Sequence, residues 1–78
     1  MHEVGMAREI IKIVLDKAQG KKVVSVTVEL GDDGHTTPES LAHGFGHVIE
    51  GTNAAGAKLK VIKGTGFESR VVELEVEE

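Results

Sequence analysis

The stretch from Val4 to Ala18 limits the fold more than any other. Met6, Ala7, Ile10, Ile11, Ile13, Val14, Leu15 and Ala18 recur there with helical spacing. On a helical wheel they sweep about half the circumference, leaving Arg8, Glu9, Lys12, Asp16 and Gln19 on the other side. An arc that wide exceeds what one sheet face covers. The helix therefore calls for cover from two directions, by a sheet and by a second helix or another subunit. Gly20, followed by Lys21 and Lys22, is placed to end it, the glycine by taking a left-handed C′ conformation and the lysines by suiting the negative helix end.

Three alternating stretches supply the sheet. Val24, Val26, Val28 and Leu30 alternate with Ser25, Thr27 and Glu29, and Ala57 to Ile62 alternates again. In the last strand Val72, Leu74 and Val76 alternate with Glu73, Glu75 and Glu77. Between the first two strands, Gly31 to Thr36 reads as a loop, and Thr37-Pro38-Glu39-Ser40 as a helix start with Thr37 as N-cap and Pro38 at N1. Leu41, Ala42, Phe45, Val48 and Ile49 form the inward stripe of this second helix. Gly44 and Gly46 cost it about 1 kcal/mol each relative to Ala, so it depends on packing; Gly51 is its expected stop.

A helix of crossover length between the first two strands makes them parallel, with a right-handed connection. The short gap at Gly64-Thr65-Gly66 predicts an antiparallel hairpin between the last two, with Lys58 and Lys60 facing Glu73 and Glu75. Each strand has one polar face, so both helices belong on the other. The expected fold is an α/β two-layer sandwich, helix-strand-helix-strand-strand, with a three-stranded mixed sheet and both helices on one face. Residues 1–78 form a single domain, and a chain of this length buries only about 60–65% of its unfolded surface.

Composition narrows the function. With no Cys there is no disulfide framework, thiolate metal site or cysteine nucleophile. A net charge of −4 without Trp or Tyr argues against nucleic acid. No apolar run approaches the ~20 residues that span a bilayer, and Glu3, Arg8, Glu9, Lys12 and Asp16 interrupt any signal-peptide core. The expectation is a soluble, cytoplasmic protein with neither nucleic-acid nor membrane partner.

Two constellations carry metal chemistry. At Met1-His2-Glu3 the free amine, the His2 amide nitrogen and the imidazole Nδ1 close a five- and a six-membered chelate ring around one ion. Such a flat donor set suits square-planar Ni(II) or Cu(II) rather than tetrahedral Zn(II), and it binds better as pH rises because its donors must lose protons. The second is His43/His47, four apart on one helix face and pointing away from the Leu41/Phe45/Val48 stripe, with Glu39 and Glu50 bordering the same side. An i, i+4 His pair chelates Zn, Ni or Cu, and His35 is a potential third donor. The plainer reading is a pair of solvated surface histidines. Asp32-Asp33-Gly34 reads as a turn, since it lacks the further oxygens of a calcium loop.

Met1-His2-Glu3 leading into Ile10-Ile11, then Val26 to Gly31, Pro38-Glu39-Ser40-Leu41 and Glu50 to Leu59, together resemble the HypA/HybF family of nickel-insertion accessory proteins for [NiFe]-hydrogenase and, in some organisms, urease maturation. Val72 to Glu78 is similar to the family's closing strand. The resemblance implies an Ni(II) site at Met1, His2 and Glu3, with His2 the principal ligand and Glu3 completing the site or orienting His2. It also implies hydrogenase maturation proteins, or the hydrogenase large subunit, as partners. The family carries a zinc lobe with paired Cys-x-x-Cys motifs before its closing strand; here Gly64 to Ser69 stands in that place, so the lobe is expected to be absent. His43 and His47 occupy positions where the family usually has large apolar residues.

The sequence thus reads as a nickel-binding metallochaperone domain and not an enzyme. The competing reading is an interaction or dimerisation module without a metal role, and a third is a small metal-dependent hydrolase around His35, His43 and His47. For a hydrolase neither an open coordination position nor a placed general base is evident.

Overall fold

The first strand lies at the centre of the sheet because both of its edges are occupied. The computed structural model describes residues 5–77 in full and the backbone of 2–4. It contains α1 (His2–Ala18), β1 (Val23–Leu30), α2 (Pro38–Val48), β2 (Lys58–Lys63) and β3 (Arg70–Val76), in the expected α/β order. The sheet runs β2-β1-β3. β1 pairs with β2 in parallel, Ser25 opposite Lys58 through Leu30 opposite Lys63, as the crossover helix requires.

β3 corrects the hairpin expectation: it pairs antiparallel with β1, not with β2. The connection 64–69 therefore crosses the end of β1 instead of turning back on β2. Three hydrogen bonds tie it there. Gly64 N donates to Leu30 O at 2.8 Å, Asp32 N to Gly66 O at 2.9 Å, and Gly31 N to Ser69 Oγ at 2.9 Å. The expected Lys–Glu pairs are consequently two strands apart. Lys58 and Glu75 both flank Ser25, and Lys60 and Glu73 both flank Thr27, which separates each pair by roughly 10 Å of sheet. Glu75 instead accepts from Ser25 Oγ at 3.1 Å, and the ion pair on this face is Arg70–Glu29 at 3.2 Å, between direct cross-strand neighbours.

Two bulges explain why strict alternation misplaced two valines. Between Val23 and Ser25, β1 advances two residues while β3 advances one; between Thr27 and Val28 the surplus residue is on β3. The extra residues are Val24 and Val72, and both are exposed. Val23 takes the buried place expected of Val24, and Val71 packs against the core in the phase expected of Val72.

One core joins the two layers. Ala7, Ile10, Ile11, Val14 and Ala18 of α1 meet Val26, Val28 and Leu30 of β1 and Leu41, Phe45 and Ile49 of the α2 segment. The broad arc of α1 is covered by α2 on one side and by β1 and β3 on the other. Ile13 is the exception at 45% exposure. Ala42, expected in the inward stripe of α2, is exposed, and Gly44 is buried in its stead.

The helix ends follow local chemistry. Thr37 caps α2 through Ser40 N, and the Ser40 hydroxyl accepts from Thr37 N, a reciprocal box ahead of Pro38. α1 closes through two left-handed residues, Gln19 at φ +51° as well as Gly20 at +86°. From Gly51 to Ala57 the chain forms a tie between α2 and β1. Thr52 Oγ1 donates to Ile49 O and accepts from Ala54 N, Ala54 is fully buried, and Asn53 O accepts from Val23 N while its side chain donates to Gly20 O. Among the described residues no helix is long and apolar enough to cross a membrane.

Candidate metal centres

The first turn of α1 begins at His2. An α-helix leaves its first four amide groups without intrahelical partners, so a backbone nitrogen in this turn can lose its proton and bind an ion without breaking a helical hydrogen bond. The positive end of the helix dipole also favours the anionic donors such a site needs. Met1 lies outside the described residues, as do the side chains of His2 and Glu3. One turn further on, Met6, Ile10 and Ile13 line an open groove of about 410 Å³, closed on its far side by Phe67, Ser69 and Val71. Phe67, at 85% exposure, is the least covered of the large apolar side chains described. Periodicity gave no warning of this groove, because it assigned Ile13 to the covered arc.

The loop after β1 behaves as a turn. Asp32 Oδ1 accepts from Gly34 N at 3.0 Å. The Asp33 carboxylate accepts from His35 N at 2.9 Å, Thr36 N at 2.7 Å and Thr36 Oγ1 at 2.6 Å. The Thr36 hydroxyl first, then the Thr36 and His35 amides, hold the Asp33 carboxyl well below its ordinary value. Folded Asp33 thus binds protons less readily than unfolded Asp33. Its stabilising effect is complete at neutral pH and is lost as pH falls from about 4 towards the depressed folded value. Asp33→Asn is expected to flatten the acid limb of the stability curve below about pH 4, as followed by urea unfolding at stepped pH.

His43 and His47 sit on the exposed face of α2, opposite the buried Leu41 and Phe45. Their Nε2 atoms face each other at 3.3 Å, with ring centroids 4.8 Å apart and planes at 82°. Among the described residues no group of three His, Cys, Asp or Glu side chains is placed to hold an ion. His35 therefore does not join the pair; its backbone is engaged by Asp33. A second cleft, of about 350 Å³, opens at the carboxyl ends of β1 and β2 between Leu30, Pro38 and Ile62.

Comparison with known proteins bears on the N-terminal centre. A family model described as hydrogenase/urease nickel incorporation, metallochaperone, HypA matches residues 1–68. The chain is 35% identical to hydrogenase maturation factor HypA of Crocosphaera subtropica over 66 residues, 85% of this chain and 58% of that protein. It is 38% identical to hydrogenase maturation factor HypA 2 of Bradyrhizobium diazoefficiens over 69 residues, 85% of this chain and 61% of the relative. With the HypA of Geobacter sulfurreducens, identity is 30% over 61 residues, 78% of this chain and 56% of the relative. The chain thus spans between 56% and 61% of the length of these relatives. The family match ends just before β3, the strand that covers the second edge of β1.

Proposed function

Because the chain belongs to the HypA family of hydrogenase and urease nickel-incorporation metallochaperones, we propose that it is a nickel-holding domain that carries Ni(II) as cargo at Met1, His2 and Glu3. The observation that carries the reading is the family match running from residue 1, over a chain whose first helix starts at His2. The Met1 amine, the His2 amide nitrogen and the His2 imidazole Nδ1 form two fused chelate rings. Glu3 offers a carboxylate for the fourth position or orients the imidazole. Four nitrogen and oxygen donors in a plane suit Ni(II).

Release follows from the same chemistry. Reprotonation of the amine and amide weakens the site, so nickel leaves by ligand exchange to an acceptor with better donors. No bond in a substrate is made or broken. The receiving partners are the hydrogenase maturation proteins or the hydrogenase large subunit. We place the holding step in the cytoplasm, and the segment 64–69 in the position of the family's zinc lobe.

The alternative, an interaction or dimerisation module, draws on the groove beside Ile13 and Phe67. A titration separates the two. Ni(II) added to the untagged protein is expected to bind at one equivalent, and His2→Ala to weaken it by at least the tenfold to hundredfold that even an outer-shell change produces. Unchanged affinity in His2→Ala removes the N-terminal site and leaves the module reading.

A further inference from the structure

We infer that His43 and His47 form a second metal site, a bidentate imidazole clamp for a tetrahedral divalent ion of the zinc(II) type, independent of the N-terminal nickel centre. The geometry carries it. Two imidazole nitrogens bound at 2.0–2.1 Å with a tetrahedral angle between them lie about 3.3–3.4 Å apart. The Nε2 atoms of His43 and His47 are 3.3 Å apart before any ion is present. A square-planar ion would require them to close to about 2.9 Å. The bite as it stands therefore favours tetrahedral coordination, the opposite preference from the flat donor set at Met1-His2-Glu3.

At this distance the two Nε2 atoms are within hydrogen-bonding reach of each other. They can share either a proton, one ring donating to the other, or a cation accepting both lone pairs. The backbone beneath the pair is fixed. α2 is capped at Thr37 by a reciprocal side-chain box and anchored on its opposite face by Leu41 and Phe45, which are 0% and 2% exposed. Four residues of separation stack the two rings one above the other, and both are exposed, so an ion reaches them directly from solvent. No third His or acidic side chain joins them among the described residues. Two coordination positions therefore remain for water or an incoming ligand, which makes the clamp exchangeable instead of structural. In a chain without cysteine, zinc is held here by imidazole alone.

The test uses the His2→Ala protein, so that the N-terminal centre does not contribute. Zn(II) titrated into it by calorimetry is expected to bind at one equivalent. Adding His43→Gln or His47→Gln singly is expected to weaken that binding by at least about tenfold to hundredfold each, with far-UV circular dichroism unchanged because both side chains are exposed. The ring proton resonances of both histidines are expected to move together during the titration. Absence of zinc binding in the His2→Ala protein overturns the site. So does binding that persists when both histidines are replaced, and so does movement of one ring without the other.

Discussion

Phe45→Ala is expected to lower folding stability by about 3–5 kcal/mol, the usual cost of emptying a buried aromatic site. Phe45 is 2% exposed and sits in α2, the helix packed against α1, where it shares one core with α1 and β1. A domain of this length holds about 4–12 kcal/mol in total. The substitution therefore removes a large fraction of the whole, and in the less stable half of that range it unfolds the protein. The effect is large for a second reason: Gly44 and Gly46 flank the position, so α2 has little helix propensity of its own and is held by the packing that Phe45 supplies. Urea unfolding is the measurement, with a lower midpoint at unchanged slope as the expected result. A loss below about 1 kcal/mol would show that α2 is not held this way.

Gly31→Ala is expected to cost about 3 kcal/mol, at the upper end of overpacking. A Cβ at Gly31 would lie 2.5 Å from Glu68 O and 2.6 Å from Phe67 C. Both are backbone atoms of the segment crossing the end of β1, so no side chain can rotate away. Relief requires moving that segment, which strains its hydrogen bonds to Leu30, Gly31 and Asp32. Gly46→Ala is the control. Nothing lies within 4 Å of its Cβ position, and the residue is exposed in α2. There alanine is expected to stabilise the protein by up to about 1 kcal/mol through helix propensity. Opposite signs for the same chemical change would establish that close backbone approach, and not the loss of a glycine, sets the cost at position 31.

Much of this fold was legible. The five elements and the parallel β1–β2 pair follow from hydrophobic period and from a helix of crossover length. The partner of β3 was not legible, because a short connection after β2 favours a hairpin and complementary Lys and Glu residues on β2 and β3 supported it. Those charges are complementary across a shared neighbour, not face to face. The bulges hid the inward phase only at Val24 and Val72, since one surplus residue exchanges the two faces beyond it, while Val26, Val28, Leu30, Leu74 and Val76 face the core as expected. Gly31 likewise carries no local signal: its φ is not positive, and its constraint comes from a segment more than thirty positions later.

The sites divide in the same way. The stacking of His43 and His47 on one exposed helix face was legible from spacing alone, and the structure adds the 3.3 Å separation of their Nε2 atoms. The proposed Met1-His2-Glu3 grip rests on chelate-ring chemistry and family resemblance, since Met1 and the side chains of His2 and Glu3 lie outside the described residues. Glu50 to Leu59, much of what carries the resemblance, includes a structural tie from Gly51 to Ala57, with buried Ala54 and the Thr52 and Asn53 hydrogen bonds joining α2 to β1.

The central claim is that nickel is held by the first residue's own amine together with His2. The most direct test keeps every side chain and acetylates the Met1 amine. The blocked nitrogen is no longer an amine donor, so the five-membered ring it closes with the His2 amide nitrogen is lost. The untagged protein with its free amine is expected to bind Ni(II) with the yellow absorbance of a square-planar complex, and the acetylated protein to lose both the absorbance and at least about tenfold to hundredfold in affinity while remaining folded. Full retention of affinity and absorbance in the acetylated protein would contradict the claim.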